Sequence, residues 1–184
     1  MSTTAFDLLT SMFSQNSQSE FVHLMHFFQQ LEKQVWPKDH YFFRQDEQWN
    51  QIILLETGLV RCFYIEDDRE INLRFLCGGS AALPFSSFAA SVIDKHKVLK
   101  SNEYIQAVSE VTGYYIPATY LTEQLKYPEL NPLRVEIAAR HYFSIEQRLR
   151  MIQNLKAIER YRKFLAWMPE EIIQQTTQNA LSIL

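Results

Sequence analysis

Between residues 40 and 117 the chain is a series of short apolar segments cut apart by turn residues, a pattern that few folds accommodate. The segments are Tyr41-Phe42-Phe43, Gln51 to Glu56, Val60 to Ile65, Ile71 to Leu76, Tyr104 to Val108 and Tyr114 to Pro117. They are rich in β-branched and aromatic residues, which suit a pleated, half-buried surface. Asp46-Glu47, Thr57-Gly58, Glu66-Asp67-Asp68 and Cys77-Gly78-Gly79 lie between them. Short strands at near-regular spacing predict a sandwich or a roll, not a parallel sheet.

Alternation adds detail. Leu59, Arg61, Phe63 and Ile65 point one way and Val60, Cys62 and Tyr64 the other. Ile71, Leu73 and Phe75 alternate with Asn72, Arg74 and Leu76. One apolar face and one mixed face describe a barrel wall with an inside and an outside. Arg61 and Glu70, on successive strands, either pair across the sheet or line a pocket. Pro84 to Ser91 reads as a short helix or tight loop, and the polar run Asp94 to Asn102 as an exposed loop.

Helical periodicity brackets the strands. Residues 5–13 fit a short helix, and Ser17 or Ser19 caps a second over residues 20–33. The stripe of that second helix is Phe21, Leu24, Met25, Phe28 and Leu31. Residues 118–126 give one or two turns before Pro128. A long helix begins near Asn131-Pro132, a cap followed by proline at the first helical position, and runs to about Ile158. Ala138, Tyr142, Ile145, Leu149, Ile152 and Leu155 form a near-heptad seam, read as a dimer interface. A second set, Val135, Ile137, Ala139 and Phe143, is expected to pack on the roll. The expected fold is α+β: N-terminal helices over 1–36, a cupin-like jelly-roll over 37–128, a dimerisation helix over 129–158 and a short helical tail over 159–184.

Composition removes several classes of function. At 47% hydrophobic, with 13 Phe and 9 Tyr, the chain can build a substantial core. A net charge of −3 provides no general attraction to nucleic acid or acidic lipid. Two cysteines, Cys62 and Cys77, fit buried thiols in a reducing cytoplasm better than a disulfide framework. No segment nears the roughly 20 apolar residues of a membrane span. Met1 to Leu9 carries Asp7 and no Lys or Arg, so it lacks the basic region of a secretory signal. The cytoplasm is the expected location.

The run Gly58-Leu59-Val60-Arg61-Cys62-Phe63-Tyr64, with Asp67-Asp68-Arg69-Glu70 after it, resembles the middle strands of the cyclic-AMP receptor/Crp–Fnr family of bacterial regulators. Ile158-Glu159-Arg160-Tyr161, with Phe164-Leu165 and Pro169-Glu170, resembles the segment after that family's dimer helix. The resemblance covers about residues 20–170. It implies a β-roll of the cyclic-nucleotide-binding type, a homodimer through the long helix and small-molecule or redox sensing without catalysis. It places the effector around Ser86, Ser87, Ser101 and Tyr104; Arg61 and Glu70 on their strands, and Arg140 on the long helix at the pocket mouth, are further candidate contacts.

Departures from the family pattern narrow the effector. Pro84-Phe85-Ser86-Ser87-Phe88 lacks the Gly-Glu of a cyclic-nucleotide site, and the expected phosphate-clamping Arg falls near Ser101. No Arg lies between Arg74 and Arg134. A phosphate would go unpaired in an apolar pocket, so a neutral or weakly polar effector is expected in place of cyclic AMP. Asp39 and Asp68 stand where the family has turn glycines, which Asp tolerates. The family's helix-turn-helix needs positive charge facing phosphates, yet no Lys, Arg or His follows Lys163. DNA binding is therefore expected only if such a module is supplied elsewhere.

A small cupin-like metal-binding enzyme is the alternative. It needs two His and a Glu on neighbouring strands, but only His40 lies near the roll's start and His96 sits in a polar loop. His23 and His26 are spaced for a helix-borne metal site without evident acidic partners. Cys62 and Cys77 are too few for a four-thiolate cluster. No metal or cofactor is expected. A third reading is a roll filled by its own side chains.

Overall fold

The computed structural model describes residues 5–11, 31–48, 50–84 and 100–124, with separate positions between 135 and 166. The strands are β1 (Lys33–Trp36), β2 (Tyr41–Phe43), β3 (Gln51–Thr57), β4 (Leu59–Glu66), β5 (Arg69–Cys77), β6 (Ser80–Ala82), β7 (Tyr104–Ala107) and β8 (Val111–Pro117). They form two four-stranded sheets, ordered β1-β8-β3-β6 and β2-β7-β4-β5. Every pairing is antiparallel. The chain passes from one sheet to the other at each connection except the β4–β5 hairpin. That is the winding of a jelly roll. Helix α1 (Ala5–Ser11) packs on β3, and α2 (Ala118–Gln124) follows β8 directly and packs on β8 and β3.

Local chemistry explains the turns. Asp39, Asp46, Asp67 and Asp68 all adopt positive φ, between 50° and 67°. A short polar side chain lowers the cost of that region, so the predicted replacement of turn glycines at Asp39 and Asp68 holds. Gly58, between β3 and β4, has φ 93°, and a Cβ there would run into the Glu110 carbonyl. Only glycine fits that turn.

The core lies between the sheets. Phe42, Phe43, Val60, Cys62, Ile105 and Ala107 from one sheet meet Leu55, Val111, Tyr114 and Ile116 from the other. Each large apolar side chain removed from water contributes roughly 1.5–3 kcal/mol. The sheet carrying β4 is buried on its outer side as well, at Leu59, Phe63 and Phe75.

Four expectations are corrected. Lys33, placed at the end of the second helix, opens β1, paired with β8 from Lys33↔Tyr114 to Trp36↔Val111; residues 12–30 lie outside those described. Ser80–Ala82, which has weak strand propensity, is a strand because it pairs with β3 at Ile53, Leu54 and Leu55. Ser101, expected in an exposed run, is buried. Alternation along β5 fails because the register slips opposite Cys62 and Phe63: Cys62 faces Arg74, Phe63 faces Asn72, and Leu73 is left over. The bulge turns Arg74 and Leu76 towards the core side and leaves Asn72 and Phe75 on the other.

The C-terminal region also differs. Val135, Ala139, Tyr142, Phe143, Glu146, Leu149 and Arg150 are helical, but Lys156 is not. The Glu159 carboxylate accepts the Lys156 backbone N–H at 3.3 Å, half of a capping box that starts a new helical turn. The helix expected through Ile158 is thus interrupted. Val135, Ala139 and Phe143, expected to pack on the roll, are exposed.

Candidate functional site

Strand register brings two charged residues onto the core side of the sheet. Cys62 on β4 is flanked by Arg74 on β5 and Ile105 on β7. Cys62 and Ile105 both belong to the core. Glu103, two residues before Ile105, shares its face by strand alternation. Arg74 reaches across β4, and its Nη2 donates to Glu103 Oε1 at 2.8 Å and to the Leu83 carbonyl at 3.1 Å. Glu103 is only 2% exposed and the Arg74 side chain 23%.

The pair is held from both ends. Burial alone would lower the Arg74 pKa, but Cys62 and Glu103 outweigh it and hold the guanidinium above its ordinary value. The Ser101 hydroxyl donates to the Glu103 carbonyl at 2.6 Å and accepts the Glu103 backbone N–H at 3.3 Å. The Ser101 backbone bonds Glu47 and Asp46. Glu103 therefore leaves a pinned turn, yet its buried Oε2 has no hydrogen-bond partner among the described residues.

The outer side carries a different network. Arg61 Nη1 donates to Glu70 Oε2 at 2.6 Å, while its Nε and Nη2 both donate to Gln106 Oε1 at 2.9 and 2.7 Å. The guanidinium lies 4.1 Å from the Phe63 ring centroid, and Phe63 stacks on Tyr104 at 5.0 Å. Tyr41 meets Tyr104 edge-on, and Arg44 lies over Tyr41. This ladder braces β2, β7, β4 and β5 together.

The predicted site residues therefore separate. Arg61, Glu70 and Tyr104 gather on the outer side, with the expected cross-strand pair formed. Ser101 spends its hydroxyl on its own turn. Ser86, Ser87 and Arg140, like Ala138, Ile145 and Ile152 of the seam, lie outside the described residues, as do His23, His26 and His96. Tyr142 and Leu149 of the seam are 70% and 49% exposed. Cys62 and Cys77 are not joined in a disulfide, and burial pushes the Cys77 thiol up, away from the reactive thiolate. Sequence reasoning passed over Arg74 and Glu103. They are far apart in sequence, and the bulge reverses the face that alternation assigned to Arg74.

No protein-family model and no curated protein matches the chain. Solved structures do. FixK2 from Bradyrhizobium japonicum superposes with a TM-score of 0.63 at 15% identity, over 83% of this chain and 76% of that one. A protein described as a transcriptional regulator of the Crp/Fnr family from Eubacterium rectale gives 0.56 at 19% identity, over 86% and 68%. The sensor domain of the transcriptional regulator DNR from Pseudomonas aeruginosa gives 0.51 at 18% identity, over 81% and 90%. The chain has the β-roll fold of Crp/Fnr-type sensor domains, of the cyclic-nucleotide-binding kind.

Proposed function

We propose that this chain is a non-enzymatic regulatory sensor, a dimeric β-roll of the Crp/Fnr type whose effector is not a cyclic nucleotide. The inner-face pair carries the reading. A roll filled by its own side chains is expected to pair its buried carboxylate oxygens, and Glu103 Oε2 has no partner among the described residues. The same pair argues against cyclic AMP, because a phosphate drawn to Arg74 would meet the Glu103 carboxylate beside it.

The dimer assignment rests on Tyr142 and Leu149, together with Val135, Phe143 and Ile158. All are large apolar side chains left exposed on helical positions. A stripe of this kind is covered by a partner in stable proteins. Effector occupancy would shift the balance between two arrangements of the paired helices. Output then passes to a partner or to a DNA-binding module supplied elsewhere.

Light scattering on the purified chain tests this. The expected mass is twice the 21.8 kDa of one chain, falling to a single chain in Leu149→Glu. A monomeric wild type sinks the dimer. Calorimetric binding of cyclic AMP at micromolar affinity sinks the choice of effector.

A further inference from the structure

The helical positions described between 135 and 150 share one face. A helix turns about 100° per residue, so Val135, Ala139, Tyr142, Phe143 and Leu149, with Glu146 and Arg150, fall within a sector of about 120°. The five apolar members are all exposed. Val135, Tyr142 and Leu149 recur every seven residues, the spacing that meets a second helix. The sequence assigns Tyr142 and Leu149 to a seam and Val135, Ala139 and Phe143 to the roll, but the structure sets both groups on the same side.

Glu146 lies at the middle of that sector, a carboxylate centred on an otherwise apolar face. Its Oε1 accepts from Arg150 Nη2 at 2.6 Å, one turn further along the helix. The Glu146 side chain is 39% exposed and that of Arg150 69%.

We propose that this face pairs with the same face of a second copy of the chain, and that Glu146 keeps the pairing weak enough for an effector to adjust it. The proposal rests on the dimeric sensor reading above and names the residue that sets the strength of its helix pairing.

Charge and spacing select the partner. Glu146 and Arg150 cancel, so they leave no net charge on the face to repel its own copy or to draw a charged partner. Heptad spacing suits another helix better than a flat surface. A two-fold dimer uses the same patch on both copies, so one seam receives the carboxylate twice. Both carboxylates lose water there, while Arg150 stays at the flank where water reaches it. That loss opposes the gain from burying Val135, Tyr142, Phe143 and Leu149. A polar group at one seam position lowers stability and fixes the register of the two helices. A sensor needs this balance, because a ligand shifts only arrangements that lie close in energy.

The test uses the full chain and measures the dimer dissociation constant by sedimentation velocity over a dilution series. Glu146→Leu should tighten the dimer about tenfold or more, and Glu146→Gln by a smaller factor. Arg150→Leu should loosen it about tenfold or more, because two carboxylates are left unpaired in one seam, and added salt should restore part of that loss. Phe143→Ser should loosen the dimer too. Opposite effects at Glu146 and Arg150, one turn apart, cannot come from a shared loss of folding, and every circular dichroism spectrum should match the wild type. A dissociation constant unchanged or raised in Glu146→Leu, or unchanged in Phe143→Ser, overturns the proposal, and a wild type that is still dimeric then leaves the sensor reading standing. A wild type that is monomeric at every concentration removes that reading as well. Co-sedimentation of the wild type with phosphatidylglycerol vesicles, lost in Phe143→Ser, assigns the face to a lipid surface and overturns the second copy.

Discussion

Two arginines on one hairpin, Arg61 on β4 and Arg74 on β5, each pair with a carboxylate, but on opposite sides of the sheet. On the outer side every nitrogen of Arg61 that can donate towards Glu70 or Gln106 does so, and Glu70 is 40% exposed. On the inner side one nitrogen of Arg74 makes both bonds, and one buried oxygen of Glu103 makes none among the described residues. The outer group is a finished structural brace that water helps to solvate. The inner group is deeper and incomplete. Function is better sought where a buried polar group is left unfinished than where a network closes on itself.

The largest expected effect comes from breaking the inner pair. Arg74→Met strands a buried carboxylate, and Glu103→Leu strands a guanidinium. Either should cost about 3–5 kcal/mol in urea unfolding, because a charge loses its partner where water cannot replace it. Arg74→Met with Glu103→Leu should recover most of that loss, since a buried ion pair is often matched by apolar residues of similar volume. A double variant as unstable as the singles would mean that the pair holds the roll together by itself. The comparison with the outer brace would then collapse.

Outer-side effects should be smaller. Arg61→Met takes both donors from the nearly buried Gln106 carbonyl, an expected loss of about 1–3 kcal/mol. Arg61→Lys should recover little, because a point charge cannot span Glu70 and Gln106 as the planar fork does. Glu70→Gln should cost less than about 1 kcal/mol, and the loss should shrink with added salt, as for exposed pairs generally. Urea midpoints at low and high salt check all three. A Glu70 effect as large as that of Glu103 would place both pairs in one electrostatic class.

Much of the roll could be read from the sequence, for reasons visible in particular residues. Phe42-Phe43, Ile52 to Leu55 and Ile105 have strand propensity and lie between turn residues, so local chemistry and tertiary pairing agree. Asp39 and Asp68 marked turns because few other residues accept positive φ. β1 and β6 could not be read this way. Lys33, Gln34 and Val35 are exposed, and Ser80, Ala81 and Ala82 have little intrinsic preference; both strands exist through their pairing with β8 and β3. The inner site was hidden for a sharper reason. A single extra residue, Leu73, reverses the facing of everything after it on β5. Alternation alone could not show that Arg74 faces the core with Cys62.

The smallest expected effect is acid sensitivity at the end of the outer network. Gln106, held by Arg61, donates from Nε2 to the Asp39 carbonyl at 3.4 Å, and the next carbonyl, of His40, accepts the Ala107 N–H at 2.8 Å. The His40 ring lies edge-on to Phe42, and burial holds its pKa below the ordinary 6.5. Folding thus favours the neutral ring, and the unfolded chain takes up the proton first as pH falls. The stability that His40 contributes is complete above about pH 6.5 and is lost as pH drops through its lower folded value. Arg74 stays charged throughout that range, so acid should loosen the outer network at His40 before it touches the inner guanidinium. Urea midpoints measured across this window should fall with acid in the wild type and fall less in His40→Gln. An identical decline in both would assign the acid response to carboxylates elsewhere and leave the outer brace indifferent to pH.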